Sequence, residues 1–197
     1  MPFRVSRTRP WALCALLLVP LAGSTFAAAP NPAPAIASTK AQTLSTLGGK
    51  FSFSLPAGYA QTALPPGEAG DGTAGAKGTM YMNPQQRRVV MVTEVPIPNG
   101  VKTGDNDDEF LSGASQGFIR QQSQALPDFK KTGEKRFTLG KLGVEQVDST
   151  ASMGGGPTLS STFLAGSGST MSLVQVISRA TDKAGHEALV KTINKGQ

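Results

Sequence analysis

Gly113-Ala-Ser-Gln-Gly117 satisfies the G-x-S-x-G pattern of a hydrolase nucleophile elbow, and Asp148 and His186 follow it in the chain order Ser, Asp, His. The chemistry would be acyl transfer: His186 would take the proton of Ser115, and Asp148 would orient the imidazole. The surroundings oppose this. An elbow needs a buried strand running into the serine, whereas Asp105 to Glu109 is acidic and the apolar spacing around Ser115 is helical. The chain also lacks the alternating strand and helix units of that fold. Gly113 and Gly117 read more simply as helix-packing glycines that face a sheet and allow close approach.

Other reactive groupings are sparse. Asp105, Asp107 and Glu109 alternate like the start of a calcium loop, but Phe110 stands where the EF-hand turn needs glycine and Gln116 where it needs glutamate, so helix capping explains them better. Gly154-Gly-Gly156 precedes a strand and not a helix, so it reads as a turn and not a phosphate cradle. His186 is the single histidine, and it borders an apolar helix stripe as a surface or boundary residue. The single cysteine is Cys14. With neither a second histidine nor a cysteine beyond residue 27, thiolate catalysis, cysteine-rich zinc sites, iron–sulfur clusters and two-histidine metal sites are closed. No catalytic residue, metal site or cofactor is expected.

Arg4, Arg7 and Arg9, the apolar run Trp11 to Leu21 and the small residues Ala22 to Ala29 have the three-part form of a secretory signal peptide. Cleavage after Ala27 fits best, with Thr25 three residues before the cut. The apolar run is short for a membrane span and Pro20 interrupts it. Cys14 lies inside that run and not behind a lipobox. The expected organisation is therefore a signal peptide over 1–27, a flexible Pro/Ala-rich lead-in over 28–45 and a single domain over 46–197. The location that follows is the periplasm. Removing the three signal arginines leaves 16 basic residues against 13 acidic ones, a net +3 that is too mild to argue for nucleic acid.

The elements follow from periodicity. Phe51, Phe53 and Leu55 alternate with serines, which predicts a strand with one buried face, stopped by Pro56-Ala57-Gly58. Thr79 to Met82 and Arg88 to Val95 are strands, and the unbroken run Val89 to Val92 predicts coverage on both faces. Asp105 to Glu109 opens a helix of about 20 residues that Pro127 ends. Phe129 to Leu139, Val144 to Met153, Thr158 to Ala165 and Ser169 to Ser178 form a meander joined by short glycine-bearing turns. A last helix starts at Thr181 or Asp182 and carries Ala184, Ala188, Leu189 and Ile193 as its apolar stripe. Two amphipathic helices need a sheet to cover them, so the fold class is α+β, an antiparallel sheet of six to seven strands sandwiched by helices.

Leu47-Gly-Gly-Lys-Phe-Ser-Phe-Ser-Leu-Pro56 resembles the opening strand of the DcrB-like family of bacterial envelope proteins, which shares the fold of the photosystem protein PsbP. Phe137 to Gly143, Gln146 to Ser149, Leu159 to Ser161, Leu164 to Gly166 and the strand around Leu173 to Ile177 are similar to that family in order and spacing. The resemblance implies an α/β/α arrangement, an envelope location, no known catalytic residues, and links to phage uptake and envelope protein maturation. Relatives of this type include lipoproteins, a point from which this chain departs.

A soluble, non-enzymatic periplasmic accessory or binding protein, with envelope proteins as partners, is thus the leading expectation. A chaperone for hydrophobic segments of exported clients is the alternative, since cytosolic members of the superfamily resemble secretion chaperones. A hydrolase using Ser115 is the third. Lys130, Lys131, Lys135 and Arg136 suit a weak contact with an anionic membrane surface, and charges guarding an edge strand explain them equally well.

Overall fold

The computed structural model describes residues 37–67 and 74–196. The signal peptide over 1–27, its cleavage site at Ala27 and most of the lead-in lie outside them.

Seven strands form one antiparallel sheet: β3 (Ala60–Ala63), β4 (Lys77–Asn83), β5 (Arg88–Pro96), β6 (Lys130–Leu139), β7 (Leu142–Ser152), β8 (Pro157–Ser167) and β9 (Thr170–Arg179), in the spatial order β3-β4-β5-β9-β8-β7-β6. The meander β6 to β9 supplies four neighbours in sequence order, as the short glycine turns predict. The long excursion through helix α1 (Asp108–Ala125) lets β9 come back beside β5. Helix α2 (Lys183–Lys195) follows β9. The α+β class and the seven-stranded sheet between helices match the expectation.

The opening strand is not part of that sheet. β1 (Gln42–Thr46) and β2 (Phe51–Leu55) form a separate two-stranded ribbon that lies with α2 on one face of the main sheet. The lead-in expected to run to residue 45 is therefore shorter, because Gln42–Thr46 is strand. Leu44 and Thr46 turn inward opposite Phe53 and Phe51, and the Thr46 and Ser172 hydroxyls lie 2.7 Å apart. Phe51, Phe53 and Leu55 are wholly buried against Val144, Phe163, Val174 and Val176 of the sheet and Leu189 and Ile193 of α2. Each such side chain contributes roughly 1.5–3 kcal/mol by leaving water.

α1 covers the other face. Asp107 caps it, its carboxylate accepting the Phe110 N–H at 2.9 Å, and Asp108 and Glu109 add negative charge to the first turn. Pro127 holds Leu126 extended and ends the helix. Phe118 and Ile119 pack on Val147, Leu164 and Leu173, while Phe110, Leu111 and Ala114 pack with Val95, Ile97 and Met171.

Three expectations need correction. A Cβ on Gly113 would meet nothing, so this glycine does not face the sheet. Gly117 is buried on α1, and sheet glycines also allow the close approach: a side chain at Gly143 would strike Asn106 and Leu111, and one at Gly166 would strike Phe110. Second, Val90 is buried but Val89 and Met91 are half-buried, because α1 sits over β7 and β8 and leaves its side of β4 and β5 open there, and Val92 on the other face is only partly covered by the cluster beneath α2. Third, α2 buries His186, Leu189 and Ile193, with Val190 partly covered, whereas Ala184 and Ala188 face solvent. The helix is rotated so that its histidine, and not its alanines, meets the sheet.

Candidate functional site

The three hydrolase candidates do not meet. Ser115 is buried on α1, and its hydroxyl donates to the Ser112 carbonyl of its own helix at 3.2 Å. Asp148 and His186 lie across the sheet from it, on the face covered by α2. Strand alternation makes this unavoidable. Val147 turns toward α1, so its neighbour Asp148 turns away.

Asp148 and His186 are instead joined through Ser161 of β8, which the motif reading passed over. The Ser161 hydroxyl donates to Asp148 Oδ1 at 2.5 Å and lies 3.0 Å from His186 Nε2, while His186 Nδ1 lies 3.0 Å from the Ser178 hydroxyl. A carboxylate only accepts and a serine carries one hydroxyl proton. Ser161 gives that proton to Asp148, so it must accept from His186 Nε2–H. Nδ1 then accepts from Ser178, which makes His186 the neutral Nε2-protonated tautomer. Burial is the main cause holding its pKa below the ordinary histidine value, with the Asp148 carboxylate pulling the other way. Gln146 closes the chain by donating to Asp148 Oδ1 at 2.7 Å.

The polarity of this chain is wrong for nucleophilic catalysis. An activated serine donates to its histidine; here the carboxylate already holds the serine proton and the imidazole is the donor. Ser161 is 3 % and His186 5 % exposed, and the Ser161 hydroxyl proton and both imidazole nitrogens are already engaged.

Above these residues runs a cleft of about 650 Å³ between α2 and the strands β6 to β8. Its floor is polar: Gln146, Asp148 and Ser161 stand where apolar residues would continue the rows of Val144 and Phe163. A register shift between Lys131 and Gly133 breaks the ladder beside Asp148, and Gly133 leaves the carboxylate room, since a Cβ there would come within 3.3 Å of Oδ2. Gln146 is 2 % exposed, and its Oε1 finds no partner in the protein; Asn194 Oδ1 on α2 is likewise buried and unpaired. The rim is basic. Lys135, Lys183, Lys191 and Lys195 surround the mouth, and of the two acidic residues there Glu187 is taken by Lys183 at 3.5 Å. The arrangement is one that holds a ligand by charge at the rim and by hydrogen-bond acceptors at the base.

The remaining expectations fall on structural roles. Asp105 binds Lys50 at 2.7 Å and accepts from Ser167, and Asp107 is the helix cap, so the acidic run caps and ties as expected. Gly154 and Gly155 turn between β7 and β8 with positive φ. β6 is an edge strand of the described sheet, where Lys131 pairs with Glu134 and Arg136 with Asp108. Among the described residues no group of three or more His, Cys, Asp or Glu side chains is placed to hold a metal, and no helix is long and apolar enough to cross a membrane.

With this geometry in place, comparison with known proteins gives the fold a parallel. The solution structure of the cyanobacterial PsbP of Synechocystis sp. PCC 6803 is similar with a TM-score of 0.56 at 12% identity, covering 83% of this chain and 94% of that one. The fold is PsbP-like. A protein of unknown function from Pseudomonas aeruginosa is more distant, at a TM-score of 0.43 and 9% identity over 79% of this chain and 94% of its own. No family model matches the chain, and no curated protein does.

Proposed function

We propose that this protein is a non-enzymatic binding module of the bacterial envelope, of the DcrB-like type, exported to the periplasm and engaging its partner through the cleft between α2 and β6 to β8. The observation that carries this reading is the direction of the buried hydrogen-bond chain. His186 donates to Ser161 and Ser161 to Asp148, so the one constellation that looks catalytic has no nucleophile to release and serves to seat α2 on the sheet. What remains is a basic-rimmed hollow with two buried, unpaired acceptors in its lining, a feature suited to binding.

The export reading rests on the charged, apolar and small-residue stretches of the N-terminus. A chaperone for hydrophobic segments would call for an apolar concavity, and the floor of this cleft is polar. Contact with an anionic membrane surface falls to Lys130 and Lys135, which have no ion-pair partner among the described residues.

The test is a photocrosslinker placed at Lys191, exposed on the cleft rim, in cells expressing the full chain. Specific crosslinks to an envelope component, lost with the crosslinker moved to Arg120 on α1, are the expected result. A fluorophosphonate probe that labels Ser115 or Ser161, with the label abolished by His186→Ala, would overturn the reading in favour of a hydrolase.

A further inference from the structure

β4 carries Met80 and Met82 two residues apart, and β5 carries Met91. The register sets Met80 directly opposite Met91 and Met82 opposite Val89. Alternation along a strand therefore puts the three thioethers on one face, the face that α1 leaves open over these two strands. Directly opposed residues have Cβ atoms roughly 4.5–5.5 Å apart and diagonal neighbours roughly 7–8 Å. A methionine side chain is unbranched with three rotatable bonds, so three sulfurs on such a lattice reach a common point.

Exposure and surroundings fit a ligand better than a core. Met82 is 41 % exposed, the one large hydrophobic side chain so exposed among the described residues, and Met80 and Met91 are half-buried beside it. Met171, by contrast, is buried in the apolar cluster under α1. The neighbours on the same face are Gly78, Thr93, Val89 and Ile177, with Ala60 and Thr62 of β3 opposite Met82 and Met80 and Gln175 of β9 opposite Met91. No carboxylate and no ammonium stands among them. The chain beyond residue 27 has no cysteine, so thioethers are its sulfur ligands.

We propose that Met80, Met82 and Met91 form a binding site for a soft monovalent metal ion, Cu(I) or its analogue Ag(I). Thioethers are neutral, polarizable donors that select Cu(I) over zinc, calcium or magnesium, which need imidazole, thiolate or charged oxygen. An uncharged setting, with no carboxylate among these neighbours, suits a singly charged ion and penalises a dication. Binding involves no change of oxidation state, and the site is independent of the cleft on the opposite face of the sheet.

The experiment uses the full chain carrying Cys14→Ser, which removes the one competing thiol and leaves every methionine unmodified, labelled with methyl-13C methionine and titrated with Ag(I) and, under anaerobic reducing conditions, with Cu(I). One equivalent should shift the Met80, Met82 and Met91 methyl resonances and leave Met153 and Met171 in place, and Zn(II) should shift none. The volume-conserving variant Met80→Leu/Met82→Leu/Met91→Leu should lose at least about tenfold in affinity when competed against a Cu(I) chelator. Absence of methyl shifts in the chain with its methionines intact, equal shifts at Met153 and Met171, or binding abolished by His186→Asn would each overturn the proposal. The methyl spectra of that chain decide the matter even where the triple variant folds poorly.

Discussion

The ring of Phe110 on α1 rests against the bare Cα of Gly166 on β8, closely enough that a methyl group at 166 would overlap it. Leu111 lies in the same way over Gly143 of β7. Two glycines in the sheet, and not Gly113 of the helix, let α1 come this near to the core.

Gly166→Ala should therefore destabilise the protein by about 1–3 kcal/mol, the ordinary cost of overpacking a filled site. Gly113→Ala adds its methyl to open space within a helix and should stabilise by roughly 0.5–1 kcal/mol. Urea unfolding of the two variants checks both signs. Equal losses in both would contradict the packing described.

Phe51 and Phe53 lie with ring centroids 5.9 Å apart, and Phe51 meets Phe163 edge-on at 6.5 Å. Truncating either to alanine should cost about 3–5 kcal/mol, a large share of a total of roughly 5–15 kcal/mol. The melting temperature should fall by about 6–20 °C. Ser52→Ala, on the outward face of the same strand, should move it by no more than a degree or two.

His186 adds a dependence on pH. Its folded pKa lies below the ordinary histidine value, burial being the first cause and Arg88 adding to it, while Asp148, Asp182 and Glu187 oppose the shift. Below about pH 6.5 the unfolded chain takes up a proton that the folded chain refuses, so stability is complete above that pH and declines as pH falls through it toward the lower folded value. Denaturant unfolding between pH 7.5 and 5.5 should show this decline. In His186→Asn the pH dependence in that window should flatten, even though the variant starts from a lower stability.

Arg88 of β5 is 6% exposed and reaches Asp182 at the entrance of α2, with further bonds to Gln86 at 3.0 Å and the Tyr59 hydroxyl at 3.4 Å. A carbon at Gly185 would collide with its guanidinium. Asp182→Asn leaves that buried cation without a full counter-charge and should cost about 1–3 kcal/mol, less than for a fully buried pair because Asp182 is a third exposed. Replacing both partners with Arg88→Met/Asp182→Leu should recover part of the loss, measured as a double-mutant cycle.

Much of the architecture is written locally. Phe51, Phe53 and Leu55 announce a one-faced strand, the glycine-bearing turns at 140, 154–155 and 168 announce the hairpins from β6 to β9, and Asp107 with Pro127 bounds α1. Each of these signals acts within a few residues through torsion angles, capping or alternation. The cleft was half legible: Gln146, Asp148 and Ser161 interrupt otherwise apolar rows of buried strands, which marks polar positions facing a core without saying what meets them.

The sequence by itself determined the strand periods, the helix ends and the lack of multi-histidine chemistry and of any thiol beyond residue 27, because those depend on residue type and near neighbours. Tertiary structure alone decided which side of the sheet each residue faces in company with others. It placed Ser115 and His186 on opposite faces and turned α2 so that a histidine met Ser161 and Ser178, and it set Met80 and Met82 beside Met91. These partners are brought together by long-range strand pairing and by the rotation of a helix about its own axis. Packing of the whole apolar surface chooses both, and no local signal encodes either.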